Sequence, residues 1–370
     1  GFYESVRLRA EGIDNLEAKQ EIIVQLYEKF FKVGFPDTTD RLGIVFTPTE
    51  VVDFIIHSVE DALQKHLGTT MNNRNVNILD PFTGTGTFIT RLLQSGILTK
   101  ENLLYKYMNE IYANEIVLLS YYIAAINIEE TFKDISNEDY TPYPGIVLTD
   151  TFESTEHQPT MDDSIFLNNN ERLQKQQETP VTVIMGNPPY SAKQGSTNDN
   201  NANKAYPVLD QKIRETYVAD TDAQNKNALY DSYIRAIRWA TDRIETGVIG
   251  YVTNGSFIET ISTDGMRKNL YEDFNYIYIY NLRGNQRTMG ELSRKEGGKI
   301  FDSGSRAPIA ISILIKDGSD NHNLYYQEVE DYLTREEKLE EVKKLETISN
   351  INFKEIKPDK NNNWLNQLND

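Results

Sequence analysis

The chain has 370 residues, which is enough for one α/β catalytic domain with smaller appended elements. It contains no cysteine, and this excludes disulfides, thiolate metal sites and cysteine nucleophiles. The net charge of −18 opposes binding of nucleic acid by the surface as a whole, because affinity for phosphates comes largely from Lys and Arg. Apolar runs are too short to predict a membrane span, and no signal peptide is recognisable. A cytoplasmic protein is therefore expected.

Two helices are predicted before the first strand. Apolar residues recur at helical spacing over 16–31, and Pro36 ends the region; this pattern indicates an amphipathic helical connector. A second helix is predicted over 49–67, because Thr47-Pro48 resembles a helix start before an apolar, periodic run.

Short apolar strands then alternate with helical segments. This alternation predicts βαβ units, and hence an α/β fold with a mostly parallel sheet covered on both faces. A long basic loop, with no helix, separates the last two strands, which predicts an antiparallel hairpin at one edge of a seven-stranded sheet. The predicted strands are 76–79, 111–113, 146–148, 181–185, 248–252, 276–280 and 309–315. The predicted helices are 88–93, 117–127, 229–243 and 335–345.

A glycine-rich turn follows the first strand and opens a helix. Gly84 and Gly86 would let backbone N–H groups approach a ligand, and Asp80 could meet a charged group of that ligand. Phe82 lies in the same turn. No Lys-Ser or Lys-Thr follows these glycines, so ATP hydrolysis is not supported. A turn that serves packing alone is the competing interpretation.

Acidic residues follow the next two strands. Glu115 stands where a carboxylate would accept the ribose hydroxyls of a ligand held at the glycine turn, and Glu110 is its rival. After the third strand, Asp150 could accept a hydrogen bond from a purine amine, with Phe152 packing nearby. A strand-end Asp that only caps the chain is the alternative.

The strongest signal is the apolar strand 181–185, which leads into Asn187-Pro188-Pro189-Tyr190. The prolines lack N–H donors and fix the chain direction, so carbonyl oxygens face outward. If the Asn187 side-chain oxygen and the Pro188 carbonyl each accept one N–H of a planar amine, its lone pair becomes free to attack a sulfonium methyl group. Tyr190 offers a ring on which an extruded base can stack. This chemistry needs no metal and no cysteine.

A polar, Asn-rich segment at 191–227 is predicted to be a mobile loop beside this site. Further along, the segment 283–306 is locally basic in an acidic chain, and it is the candidate DNA-binding surface. The candidate DNA contacts are Lys193, Arg283, Arg287, Arg294, Lys295, Lys299 and Arg306.

These motifs resemble those of gamma-class adenine-N6 DNA methyltransferases over most of the chain. The matching positions, in the gamma order, are Thr47-Pro48, the glycine turn at Asp80, Glu115, Asp150 and Asn187 to Tyr190. The resemblance implies a Rossmann-like fold, S-adenosylmethionine as cofactor and a flipped adenine of double-stranded DNA as target. It also implies that Thr47 and Pro48 help to hold the methionine end of the cofactor, and that Phe301 packs on the base opposite Tyr190. Phe82-Thr83 stands where the usual glycine-turn pattern has a small residue and Cys, a departure that leaves the turn intact.

A narrower resemblance is to type ISP restriction-modification enzymes, in which one polypeptide also carries nuclease, ATPase and target-recognition domains. It is carried by the stretches 26–31, 112–129, 282–285, 331–339 and 364–367. It implies the end of a helical coupler at 1–42, a catalytic domain at 43–320 and a helical linker toward a recognition domain at 321–370.

Two rival functions use the same residues. N5-glutamine protein methyltransferases also carry Asn-Pro-Pro-Tyr, but this chain continues far beyond the motif and has the Thr47-Pro48 segment before it. The second rival is a cofactor-binding remnant without activity, which the intact motif residues oppose. Methylation of cytosine N4 or of structured RNA is a further alternative, whereas carbon-5 cytosine methylation is excluded by the missing cysteine.

Overall fold

The computed structural model describes residues 46–137, 139–155, 167–189, 205–224, 226–301 and 306–366. The predicted connector helix at 16–31, the coupler segment at 1–42, Tyr190 and Lys193 lie outside the described residues. No helix in the described ranges is both long and apolar enough to cross a lipid bilayer.

Nine strands within these ranges form one sheet, and all seven predicted strands are among them. The strands are β1 Ile78–Asp80, β2 Ile111–Glu115, β3 Ile146–Leu148, β4 Val183–Gly186, β5 Gly247–Asn254, β6 Tyr276–Arg283, β7 Ile309–Lys316, β8 Asn323–Glu328 and β9 Lys354–Ile356. Their order across the sheet is β3-β2-β1-β4-β5-β7-β6-β8-β9.

The first five strands are parallel, and β7 runs antiparallel between β5 and β6. The mostly parallel α/β class is confirmed, but the prediction of seven strands with an edge hairpin was wrong in two respects. The sheet has nine strands, and the β6–β7 hairpin lies inside it because β8 pairs with β6 and β9 with β8. The alternating side chains Leu324 and Tyr326 are buried on β8, which stabilises this extension.

Helices cover both faces of the sheet. They are α1 Thr49–Ala62, α2 Thr87–Gln94, α3 Lys100–Asn109, α4 Leu118–Ser136, α5 Leu167–Glu178, α6 Pro207–Ile213, α7 Ser232–Arg243, α8 Asp264–Asp273, α9 Glu291–Glu296 and α10 Arg335–Leu345. Two apolar cores result, one under α1, α2, α4 and α10 and the other under α6, α7 and α8. Neighbouring residues of β5 such as Val248 and Ile249 enter opposite cores, as the two-residue period of a strand requires.

The first helix confirms its predicted span, because α1 begins at Thr49 and a π-helical turn continues it through Leu63–Leu67. Its partner is the glycine-turn helix α2, since Arg91 forms two hydrogen bonds to Asp53, at 2.7 Å from Nε and 2.6 Å from Nη2. This ion pair holds the Thr47-Pro48 segment near the end of β1.

Two segments differ from their predicted structure. Residues 321–370 were expected to be a helical linker, yet their described part, 321–366, contributes β8 and β9 to the sheet and has α10 as its one longer helix. That helix has the predicted bounds and begins with a reciprocal capping box between Thr334 and Glu337. In the segment expected to be a polar loop, α6 and a π-helical turn at Arg214–Val218 are present, because Leu209, Ile213 and Tyr217 reach the second core.

Candidate active site

The carboxyl ends of four parallel strands meet at one edge of the sheet. Across this edge the order β3-β2-β1-β4 places Asp150, Glu115, Asp80 and Asn187 side by side. The chain order reverses between β1 and β4, and such a switch point leaves a crevice for ligands. Four predicted site residues from distant parts of the chain are thus brought together.

The glycine turn after β1 is held by strand β2 and helix α4. The Thr83 N–H donates to the Asn114 carbonyl at 2.9 Å, and Asn127 Nδ2 donates to the Thr85 carbonyl at 3.0 Å. Gly86 has φ of +88°, and a Cβ there would lie 3.3 Å from the backbone of Ala124 on α4. Glycine is required at this position by both its backbone conformation and the close approach of α4.

Asp80 is a fully buried carboxyl group at the end of β1. Its Oδ1 accepts the Phe82 N–H at 3.1 Å, whereas Oδ2 is buried with no hydrogen-bond partner among the described residues. Burial raises the pKa of Asp80 to about 8, and the nearby Glu115 carboxylate acts in the same direction. Gly186 on β4 leaves room for it, since a Cβ there would lie 2.9 Å from Asp80 Oδ1.

Glu115 lies at the carboxyl end of β2 and ties this strand to the glycine turn. Its Oε2 accepts the Gly84 N–H and its Oε1 accepts the Val117 N–H, both at 2.7 Å. Burial nevertheless raises its pKa to about 7, although these backbone donors favour the charged form. The rival Glu110 lies at the opposite end of β2, where it pairs with Lys106 at 2.7 Å.

Asp150 follows β3 and is engaged by an aromatic cluster. Its Oδ1 accepts the Phe152 N–H at 3.0 Å, and its Oδ2 accepts the Tyr206 hydroxyl at 2.9 Å. The Phe152 ring meets the Phe82 ring at a centroid distance of 5.6 Å and the Tyr206 ring at 5.3 Å, both edge-on. Tyr206 was missed by the sequence reasoning, because the polar composition of 191–227 indicated only a loop. Its position directly before Pro207, which opens α6, was the available signal.

Asn187 directly follows β4, and its Nδ2 donates to Thr47 Oγ1 at 2.9 Å. This contact joins two segments that are far apart in the chain, namely the Asn-Pro-Pro segment and the residues before α1. Pro188 is buried behind Asn187. Thr47, assigned to the cofactor by resemblance, therefore also contacts the residue assigned to the target amine.

The basic loop between β6 and β7 lies at the same edge of the sheet, but acidic groups accompany its charges. Arg283 pairs with Asp331 and lies 3.8 Å from Glu296, and Lys295 lies 3.6 Å from Asp331. Arg294 lies 3.7 Å from Glu291 on α9.

Three other candidate contacts differ in exposure. Arg287 and Arg306 are exposed, and the Arg306 guanidinium donates to the Gln286 carbonyl at 2.8 Å. Lys299 is half-buried.

Phe301 is 4% exposed and packs in the first core, so its predicted contact with a base would require the ring to become accessible.

The residues at the strand ends fit S-adenosylmethionine. Two buried carboxyl groups with raised pKa, Asp80 and Glu115, form no ion pair within the described ranges, and this cofactor carries positive charge. The glycine turn offers space for close approach, and Phe82 and Phe152 offer apolar rings for its purine.

Comparison with known proteins agrees with this geometry. A family model described as N-6 DNA Methylase matches residues 18–277. No curated protein matches the sequence.

Among solved structures, a nuclease-deletion mutant of the type ISP restriction-modification enzyme LlaGI in complex with a DNA substrate mimic is 56% identical, with a TM-score of 0.92 over 99% of this chain. The ATP-dependent type ISP enzyme LlaBIII bound to DNA is 50% identical, with a TM-score of 0.92 over 100% of this chain. DrdV in complex with DNA is 40% identical, with a TM-score of 0.93 over 99%.

This chain spans only 30%, 25% and 35% of the length of those three proteins, respectively. The family model, by contrast, covers more than half of this chain, and it includes every strand-end residue of the site. The family implies S-adenosylmethionine as methyl donor. The chain belongs to the N-6 DNA methylase family.

Proposed function

We propose that this chain methylates N6 of a flipped adenine in double-stranded DNA, with S-adenosylmethionine as methyl donor. The observation that carries the proposal is the position of Asn187, whose amide is held by Thr47 at 2.9 Å at the same sheet edge as Asp80 and Glu115. The side chain that we assign to the target amine therefore lies beside the groups that suit a cationic cofactor.

The role of Asn187 follows from the chemistry of the target. The lone pair of an aromatic amine is delocalised into its ring, which makes the nitrogen a weak nucleophile. We assign the Asn187 side-chain oxygen and the Pro188 carbonyl as acceptors of the two N–H groups, which localises the lone pair on nitrogen. Thr47 accepts a hydrogen bond from Nδ2 of the amide, and we assign the oxygen of the same amide to the target amine. Tyr190, outside the described residues, is the proposed stacking partner of the flipped base, and Phe301 is the proposed partner on its other side.

The cofactor supplies the electrophilic methyl group when bound. We assign its cationic end to Asp80, its ribose hydroxyls to Glu115 and its purine amine to Asp150. The rings of Phe82 and Phe152 would enclose the purine, and the turn containing Gly84 and Gly86 would approach the rest of the molecule. Thr47 and Pro48 would border its methionine end.

The whole polypeptide is proposed to be a multifunctional restriction-modification enzyme. Support comes from the type ISP enzymes LlaGI and LlaBIII, which match 99% and 100% of this chain within longer polypeptides. We therefore propose that nuclease, ATPase and target-recognition domains belong to the same full-length protein. We retain the proposed division into a coupler end at 1–42, a catalytic domain at 43–320 and a linker at 321–370, although β8 and β9 of the linker pair with the catalytic sheet. Since its substrate would be DNA in the cytoplasm of its host, a cytoplasmic location follows from the proposal.

The alternative of an N5-glutamine protein methyltransferase is not favoured, because the family model and the relatives that match the whole chain are DNA enzymes. An inactive cofactor-binding remnant is also not favoured, since Asp80, Glu115 and Asn187 are all present and lie at one edge of the sheet.

The test is methylation by the full-length protein. Its gene would be expressed in a host that lacks adenine methylation, and the host DNA would be sequenced for modified adenines. We expect N6-methyladenine at one defined sequence with the wild type and none with Asn187→Ala. Modified cytosine, or methylated protein with unmodified DNA, would overturn the proposal.

A further inference from the structure

We propose that Tyr206 is a positioning residue of the cofactor site: its hydroxyl orients the Asp150 carboxylate toward the purine amine, and its ring forms a wall of the purine slot. This inference rests on the proposed function, because it takes the purine of S-adenosylmethionine as the ligand of Asp150. It further implies that the site selects a purine with an amine, as in adenine, over a purine with a carbonyl group at the same ring position.

The position of Tyr206 is set independently of Asp150. Its N–H donates to Asp210 Oδ2 at 3.1 Å, and its carbonyl accepts the Asp210 N–H at 2.7 Å. Asp210 is held in turn by two hydrogen bonds from Arg235 of α7, at 2.8 and 3.0 Å. The Arg235 guanidinium also lies 5.3 Å from the centre of the Tyr206 ring. Helices α6 and α7 therefore place the tyrosine, and Asp150 receives a hydroxyl from a rigid support.

The Asp150 carboxylate is oriented by donors on both of its oxygens. One oxygen of Asp150 accepts the Phe152 N–H at 3.0 Å and the other accepts the Tyr206 hydroxyl at 2.9 Å, so its plane is fixed from both sides. A carboxylate oxygen accepts hydrogen bonds from about two directions, so the oxygen that holds the Tyr206 hydroxyl can also accept an N–H of the purine amine. A fixed acceptor favours an amine and opposes a carbonyl oxygen, because two acceptors that face each other repel.

Three aromatic rings form a row beside Asp150. The Phe152 ring meets the Phe82 ring on one side and the Tyr206 ring on the other, both edge-on. Burial and the neighbouring Asp150 carboxylate raise the pKa of Tyr206 above its ordinary value. The hydroxyl consequently stays protonated and continues to donate at any pH at which methylation would be assayed.

The experiment compares two ligands that differ at this one position. S-adenosylhomocysteine carries the purine amine, and S-inosylhomocysteine carries a carbonyl oxygen in its place. Dissociation constants of the 370-residue chain would be measured by calorimetry for both ligands. We expect the wild type to prefer the amine roughly 100-fold or more, since a site built for a hydrogen-bond donor rejects an analogue that lacks it.

Tyr206→Phe keeps the ring and removes the hydroxyl. We expect it to bind S-adenosylhomocysteine within about fivefold of the wild type, because the lost hydrogen bond is to the Asp150 carboxylate and not to the ligand. Its preference for the amine should fall by roughly tenfold, since the carboxylate is now free to turn. Tyr206→Ala should weaken both ligands together, because the wall of the slot is lost.

Tyr271→Phe is the matched control, since the Tyr271 hydroxyl donates to the His322 carbonyl at the other end of the sheet. It should leave both constants unchanged. An unchanged amine preference in a folded Tyr206→Phe variant would overturn the inference. A wild type that does not prefer the amine-bearing ligand would also overturn the inference. The proposed function is tested separately, by the sequencing of host DNA.

Discussion

The two ends of strand β2 carry the same residue type in opposite roles. Glu110, at the amino end, is matched by Lys106 at 2.7 Å and by the Asn75 N–H at 2.7 Å. Glu115, at the carboxyl end, meets backbone N–H groups, and burial raises its pKa to about 7. Glu110, which is paired with a cation, therefore has a structural role. Glu115, which meets backbone donors, is the one that we assign to a ligand.

The contrast extends across the whole sheet. Its amino ends are closed by contacts such as the 2.8 Å hydrogen bond from Asn77 to the Pro180 carbonyl. Its carboxyl ends carry Asp80, with one buried oxygen that has no partner among the described residues, and Asn187. Substitutions at the two ends should therefore affect different quantities, namely stability at one and chemistry at the other.

The largest expected effect separates two asparagines. Asn187→Ala in the full-length enzyme should lower kcat by roughly 100- to 1,000-fold, the range for loss of one polar group that stabilises a transition state. Cofactor binding should change little, because the amide acts on the target. Asn77→Ala should leave kcat unchanged and cost about 1 kcal/mol of unfolding free energy. Single-turnover methylation and urea denaturation measure the two effects. Equal kcat losses in both variants would contradict the division between the sheet ends.

A second pair tests the two glutamates of β2. Glu115→Gln should weaken binding of S-adenosylmethionine roughly 10- to 100-fold, because hydrogen bonds to a charged acceptor contribute about 1.5–3 kcal/mol. Glu110→Gln should leave this affinity unchanged but destabilise the fold by about 3–5 kcal/mol, since it leaves the buried Lys106 without its counter-charge. Calorimetric titration and thermal unfolding provide the measurements. If Glu110→Gln alone impaired cofactor binding, the assignment of the two acids would have to be exchanged.

A third prediction uses pH. The pKa values of Asp80 and Glu115 are raised by burial to about 8 and about 7, so the folded chain without cofactor holds protons that the unfolded chain has released. Its stability from these groups should be fullest below pH 4 and should decline as the pH rises toward 8. The affinity for the cationic cofactor should rise in the same interval, by about tenfold from pH 6 to 8, because binding favours the charged carboxylates. Calorimetry in two buffers of different ionisation enthalpy would count the released protons, and a count of zero would refute the linkage.

The smallest expected effect concerns the basic loop. Asp331 pairs with Arg283 and Lys295, so Asp331→Asn should free positive charge and tighten DNA binding by the full-length protein about two- to threefold at low salt. The exposed Asp320, in the turn between β7 and β8 at the other end of the sheet, provides an equal change of charge. Asp320→Asn should leave DNA affinity unaltered. Fluorescence anisotropy at several salt concentrations would distinguish the variants, and equal tightening by both would indicate an effect of net charge alone.

Much of the fold and of the candidate site was predictable from local patterns. The alternation of apolar strands and helices predicted all seven core strands, and the glycine turn and Asn187-Pro188-Pro189 predicted one face of a catalytic site. These features depend on residues close together in the chain, where periodicity and backbone restrictions act directly.

Long-range pairing was decided only by the tertiary structure. Strand β8 extends the sheet because its alternate side chains find an apolar surface, and no local pattern specifies that neighbour. The contact between Thr47 and Asn187, and the contact between Tyr206 and Asp150, likewise join residues far apart in sequence. The sequence by itself determined which side chains could do the chemistry. The tertiary structure decided which of them have their charges neutralised and which are held ready for a ligand, because burial and ion pairing depend on what the fold packs beside each group.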